Sequence, residues 1–171
     1  MNRRSVGIAV LVTGGAALAW YLGSPLFIRT TLVEPPPAVS AASPTASPSS
    51  FGDVTVIPAA APPTTIATGE LGYVDAIHNG TGRVLLIRTG EGITLRFENV
   101  AITNAPDVHV YLSPGTGGTW TEATSLYLGA LKATNGSFNY AVPAGADLAA
   151  YKSVVVWCRQ FSVLVTWADL H

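Results

Sequence analysis

The chain has 171 residues, a formal charge of −1 and only 11% charged residues. A balance so close to neutral, without a basic cluster, argues against nucleic acid as a partner. One cysteine excludes an intramolecular disulfide framework. The sequence also lacks the P-loop, GxSxG and HExxH motifs, so no hydrolase or transferase class is indicated.

The N-terminus carries an uncharged stretch, residues 6–28, which follows two arginines and precedes Arg29. Its 23 residues would span about 35 Å as a helix, enough for a bilayer core. We therefore predict a single-pass transmembrane signal anchor at residues 1–30, in the cell membrane. The excess of positive charge before the stretch predicts a cytoplasmic N-terminus and an extracytoplasmic C-terminal part. A signal peptide cleaved near residues 17–19 is the alternative, for which the stretch is long.

Residues 31–68 are predicted to be a disordered linker. They hold eight of the twelve prolines, and Ser, Thr and Ala supply most of the rest. Such a composition has no hydrophobic periodicity and cannot bury a core. As a flexible tether the linker would hold a domain about 30–35 Å from the membrane.

Residues 69–171 are predicted to form one all-β domain, a β-sandwich of about eight short strands. Turn signals such as Asn135-Gly136 separate the β-type runs. The predicted strands are Gly69–Ile77, Gly82–Arg88, Gly92–Glu98, Asp107–Leu112, Leu126–Leu128, Phe138–Val142, Ser153–Cys158 and Ser162–Trp167.

Alternation along two of these strands separates core positions from outer positions. In the run from residue 107 to 112, Asp107, His109 and Tyr111 share the face opposite to the valines. The run Ser153–Cys158 is apolar enough for a central strand that is buried on both faces. Cys158 lies on one face of that strand, and Arg159 continues the other.

The candidate site residues are Cys158, His78, Asp107, His109 and Arg159. Cys158 is the candidate reactive thiol, because a cationic neighbour such as Arg159 or a histidine favours the reactive form of a cysteine. Two histidines and one cysteine are also the equatorial ligands of a blue-copper site. However, the sole methionine is Met1 and no histidine closely follows the cysteine, so we predict no metal site. The alternative for Cys158 is an inert residue of the core.

A second hypothesis is a non-enzymatic extracytoplasmic binding module or a cell-wall-associated module. Trp120 lies on the glycine-rich loop from Ser113 to Ser125, and a loop with an aromatic side chain can dock a ligand. The alternative for Trp120 is that it packs back on the domain and anchors the loop.

Several motifs occur together in one order: His78-x-x-x-Gly82, Pro106-Asp-Val-His-Val-Tyr-Leu112, Leu128-Gly-Ala-Leu-Lys132 and Trp157-Cys158-Arg159-Gln160. In these motifs the chain resembles the DM13 domain over residues 69–171. The resemblance implies a β-sandwich that takes part in electron transfer, with Cys158 as its redox group and a redox partner protein. Asp107, His109 and His78 fall on motif positions. The resemblance does not identify a cofactor.

Overall fold

The computed structural model describes residues 12–16, 18, 20–21, 29–37 and 62–171. Within this part the chain forms two β-sheets, one of five strands and one of four. The nine strands are β1 Thr31–Val33, β2 Thr64–Glu70, β3 Gly80–Thr89, β4 Gly92–Ile102, β5 Val108–Ser113, β6 Leu126–Ala130, β7 Asn135–Val142, β8 Ser153–Cys158 and β9 Val163–Asp169. Short 3₁₀ helices occupy Glu122–Thr124 and Leu148–Ala150. The prediction of an all-β sandwich is thereby confirmed.

The first sheet has the strand order β1-β7-β4-β3-β2, and the second has the order β6-β5-β8-β9. All neighbouring strands are antiparallel except β1 and β7, which are parallel. β8 lies between β5 and β9, so the predicted central strand is confirmed.

The core lies between the two sheets and is built from alternate residues of their strands. Phe97 of β4 and Phe138 of β7 stack with ring centroids 5.1 Å apart, and both are fully buried. Val110 and Val156 of the second sheet belong to the same cluster. Burial of each such side chain contributes about 1.5–3 kcal/mol.

Both ends of the predicted linker lie in the first sheet. β1, at Thr31–Val33, pairs with the start of β7, and β2 begins at Thr64. This differs from the sequence-based boundaries, which assign residues 31–68 to a linker. A three-residue edge strand that is closely followed by prolines is too short for hydrophobic periodicity to reveal it. The remaining linker residues, 38–61, lie outside the described residues.

The predicted turn Asn135-Gly136 lies inside this pairing, at the start of β7. Gly136 has φ +109°, and a Cβ there would collide with the carbonyl oxygen of Leu32 in β1. The glycine therefore allows β1 to approach β7 closely. The prediction of a turn at this position was wrong.

The predicted anchor falls mainly on residues outside the described part of the chain. Of its residues, 12–16, 18, 20, 21, 29 and 30 are described; residues 29 and 30 are not helical, and the others are. Among the described residues no helix is both long and apolar enough to cross a membrane.

Candidate functional site

Cys158 ends β8 with its thiol on the inner face of the second sheet. The residue is 0% exposed, and its Sγ donates a hydrogen bond to the carbonyl oxygen of Pro106 at 2.8 Å. Among the described residues the thiol makes no hydrogen bond to the side chains of His78, Asp107, His109 or Arg159. Because a carbonyl oxygen only accepts, the contact with Pro106 uses the protonated thiol.

A cleft of about 250 Å³ opens at the same end of the sandwich. Thr30, Asn104, Asp107 and Thr134 are among its lining residues, but Cys158 is not. The thiol is therefore shielded from this cleft as well as from the outer surface.

Asp107 and His109 form a pair on the opposite face of the same sheet. Asp107 lies just before β5 with φ +59°, a conformation that Asp tolerates better than most residues. Its Oδ1 lies 2.6 Å from His109 Nε2. The other ring nitrogen, His109 Nδ1, lies 3.0 Å from the hydroxyl of Tyr127 in the neighbouring strand β6. The structure therefore joins two of the predicted site residues to a tyrosine that the sequence analysis did not select.

Arg159 also lies on this outer face. Its Nε donates to the Tyr111 hydroxyl and its Nη2 donates to Glu122 Oε1, each at 2.7 Å. The guanidinium carbon lies 4.8 Å from the ring centroid of Tyr127. Burial raises the pKa of Tyr111, and the hydrogen bond from its hydroxyl to Glu122 raises it further, against the lowering effect of Arg159. Tyr111 therefore stays a neutral phenol.

Four aromatic rings on this face are in sequential contact, and we call them the outer aromatic cluster: Tyr127, Tyr111, Trp120 and Trp157. The ring centroids are 5.3 Å apart for Tyr127 and Tyr111, 4.7 Å for Tyr111 and Trp120, and 4.8 Å for Trp120 and Trp157. Tyr127 is 44% exposed and Tyr111 is fully buried. The cluster thus runs from the surface to the residue that precedes Cys158.

Trp120 reaches the cluster from the loop between β5 and β6. It is half-buried against Tyr111 and Trp157. This arrangement is the loop anchor that the sequence analysis weighed as the alternative to a ligand-docking tryptophan.

His78 lies apart from the cluster, on the loop between β2 and β3. Its Nδ1 pairs with Asp75 Oδ2 at 2.8 Å. That hydrogen bond, together with those from the backbone N–H groups of His78 and Ile77, lowers the pKa of Asp75. In the described part of the chain His78 closes a loop and makes no contact with Cys158.

Only some residues of the outer aromatic cluster could be recognised from the sequence. Alternation places Tyr111 on the outer face, but nothing in the sequence indicates that β6 pairs with β5. Tyr127 of β6 therefore could not be placed against His109.

The described residues contain no group of three or more His, Cys, Asp or Glu side chains that could share a metal ion. Cys158 and His109 face opposite sides of their sheet, so the blue-copper arrangement weighed from composition has no geometric support.

Comparison with known proteins identifies one family. A family model described as "Electron transfer DM13" matches residues 73–170, which is 98 of the 171 residues. No curated protein and no solved structure matches the chain. The match spans both sheets from β3 to β9, and it includes Cys158, the Asp107–His109 pair and the outer aromatic cluster. The chain therefore belongs to the DM13 family of electron-transfer domains.

Proposed function

We propose that this chain is a membrane-anchored extracytoplasmic domain that exchanges single electrons with a redox partner protein, with Cys158 as its redox group. The observation that carries this proposal is the series of ring contacts from the exposed Tyr127 to Trp157. Trp157 is joined to Cys158 by a peptide bond. Electron tunnelling falls steeply with distance, so rings in van der Waals contact form a route that separate rings do not.

The burial of Cys158 decides which chemistry fits the thiol. A single thiol cannot cycle between dithiol and disulfide within one chain, and a mixed disulfide or a sulfenic acid requires a reagent to reach the sulfur. Sγ is buried and bonded to Pro106. Loss of one electron through Trp157 to an oxidised one-electron centre of the partner needs no reagent at the sulfur. The thiol proton passes to water at the end of β8, beside the half-buried Pro106. The products are a thiyl radical, a proton and the reduced partner.

The proposed location rests on the sequence of residues 6–28. Their length and lack of charge suit a single membrane span, and the arginines before it favour a cytoplasmic N-terminus. The folded domain would then meet its redox partner outside the cytoplasm.

The non-enzymatic binding hypothesis gains less support. Its proposed docking residue, Trp120, is packed against Tyr111 and Trp157 and does not project freely from its loop.

One-electron oxidation of the full chain in detergent tests the proposed route. The oxidant is photogenerated tris(bipyridine)ruthenium(III), and the readout is the thiyl radical of Cys158, measured by paramagnetic resonance after rapid freezing, because a radical trap could not reach the buried sulfur. We expect Trp157→Phe to lower the yield of oxidised Cys158 several-fold, because the substitution keeps the packing but removes the more easily oxidised ring.

Trp167→Phe is the matched control. Trp167 lies in the neighbouring strand β9 and makes no ring contact with the cluster in the described part of the chain. If the Trp157 variant gave as much oxidised Cys158 as the wild type and the control, the proposed route would be wrong.

A further inference from the structure

The hydrogen bonds of His109 fix which of its nitrogens can take up a proton. A carboxylate only accepts, so in the neutral imidazole the contact of 2.6 Å to Asp107 places the hydrogen on Nε2. Nδ1 is then an acceptor, and the Tyr127 hydroxyl at 3.0 Å donates to it. The phenolic proton of Tyr127 thus already points at a base.

The second ring nitrogen of this base faces a carboxylate. Asp107 lies beside Nε2 and would pair with an imidazolium, which is the role that a carboxylate commonly plays behind a histidine base. The His109 side chain is only 10% exposed. Water therefore competes poorly with Tyr127 and Asp107 for its two nitrogens.

Arg159 limits the ways in which the Tyr127 ring can lose an electron. Its guanidinium carbon stands 4.8 Å from the ring centroid, where the cation would oppose a positive charge on the ring. Glu122 neutralises part of this charge through its contact with Arg159 Nη2 at 2.7 Å. Oxidation of Tyr127 is therefore easiest when its proton leaves together with the electron.

We propose that Tyr127 is a proton-coupled redox tyrosine and that His109 is its proton acceptor. Tyr127 gives one electron to a one-electron oxidant, and its O–H proton moves to His109 Nδ1. The products are a neutral tyrosyl radical, an imidazolium paired with Asp107, and the reduced oxidant. When an electron returns through Tyr111, the proton returns from Nδ1 to the phenolate oxygen.

This inference rests on the proposed electron-transfer function and names the residue at which electrons enter or leave the cluster. Tyr127 and His109 meet because their strands, β6 and β5, are neighbours in the sheet. Asp107 is the positioning residue, and it acts through His109.

The test is flash oxidation of the full chain by the ruthenium oxidant in water and in heavy water, followed by the absorption and paramagnetic resonance of the tyrosyl radical. We expect Tyr127→Phe to remove the main radical signal. His109→Gln should slow its formation by about 100-fold, the usual contribution of a positioned general base. The solvent isotope effect of the wild type should disappear in the His109 variant, a change that a purely structural role would not cause.

Two further variants keep the test decisive if His109→Gln folds poorly. Asp107→Asn suits the positive φ of that position and should give a slower, still isotope-sensitive oxidation, because the imidazolium loses its partner. Tyr73→Phe removes an exposed tyrosine from the loop between β2 and β3 and should change nothing.

An unchanged radical signal in Tyr127→Phe, or the same rate and isotope effect in His109→Gln, would overturn the inference. Oxidation of Cys158 that still depends on Trp157 would in that case leave the proposed function standing. Oxidation of Cys158 that does not depend on Trp157 would instead count against the function itself.

Discussion

Cys158 and the outer aromatic cluster lie on opposite faces of one sheet, separated by the backbone of β8. The thiol packs among core residues such as Val108 and Val156, whereas Trp157 packs on the outer face. Arg159, predicted as a neighbour of the thiol, extends to the outer face and contacts Tyr111 and Glu122. Sequence neighbours in a strand are thus divided between two environments, and only the backbone links them.

We predict that Cys158 in the native chain resists thiol reagents. Modification requires local opening of β8, and an opening free energy of about 3 kcal/mol slows the reaction about 100-fold. The measurement is the rate of reaction with an aromatic disulfide reagent, with and without denaturant. Phe161→Cys in a Cys158→Ser background is the positive control, because Phe161 is 49% exposed. Equal rates for the two thiols would contradict the burial of Cys158.

At the scale of elements, β1 is held by more than its three residues. Arg96 donates to the carbonyl oxygens of Glu34 and Pro35 at 3.3 and 3.2 Å, and Glu34 accepts from Lys132 Nζ at 2.9 Å and from Asn139 N at 2.7 Å. The prolines that follow Glu34 have no N–H group to donate to a neighbouring strand, so these hydrogen bonds hold the segment to the sheet instead.

We predict that the docking of β1 depends on pH through Glu34. Burial raises the pKa of Glu34, but its hydrogen bonds to Lys132 and Asn139 outweigh burial and hold that pKa below its ordinary 4.5. A lowered pKa in the folded state stabilises the fold above pH 4.5, and this stabilisation is lost as the pH falls further. Glu34→Gln should therefore cost about 1 kcal/mol at pH 7 and almost nothing in acid.

Denaturant unfolding of the full chain at several pH values measures this difference. Glu70→Gln, exposed at the end of β2, is the matched control, because β2 is the opposite edge of the sheet from β1 and the substitution removes the same charge there. A Glu34 variant whose deficit persisted unchanged at low pH would disprove the role assigned to this carboxylate.

Strands with a clear hydrophobic pattern could be predicted from the sequence, whereas features that depend on pairing with another strand could not. The strands from Val108 and from Ser153 alternate or are continuously apolar, so their faces follow from the pattern. β1 has no such pattern. Gly136 resembles a turn residue because the backbone of β1, which lies against it in the fold, is far from it in the sequence. Tyr127 and His109 meet only through strand pairing, which local sequence does not encode.

At the scale of the whole molecule, β1 places the domain close to the proposed anchor. The uncharged stretch ends at residue 28, and Thr30 is already fixed by hydrogen bonds to Thr134 and Asn135. Two residues span about 7 Å at most. The tether of about 30–35 Å expected from composition therefore does not lie between the proposed anchor and the domain.

We predict that the end of the sandwich carrying Thr30 faces the bilayer. Phe161 lies at this end, because Arg159 N bonds to the carbonyl oxygen of Asp107, which lines the cleft beside Thr30. Ala149 lies at the other end of β8, about 20 Å away along the strand.

Spin labels at these two positions, in a Cys158→Ser background and in lipid vesicles, measure the orientation. A relaxation agent carried by the lipid headgroups should broaden the label at residue 161 more than the label at residue 149. Equal broadening would contradict a fixed orientation. A chain that does not associate with vesicles would instead contradict the proposed anchor.

The position of β1 in the chain also bears on proteolytic release. Residues 38–61 connect β1 to β2, so a protease that cuts among them divides the polypeptide but leaves β1 paired with β7. The larger fragment would stay bound to the smaller one through the β1 ladder and the bonds of Glu34. Release of the domain from the proposed anchor would thus require either a cut before Thr30 or the dissociation of a folded two-fragment complex.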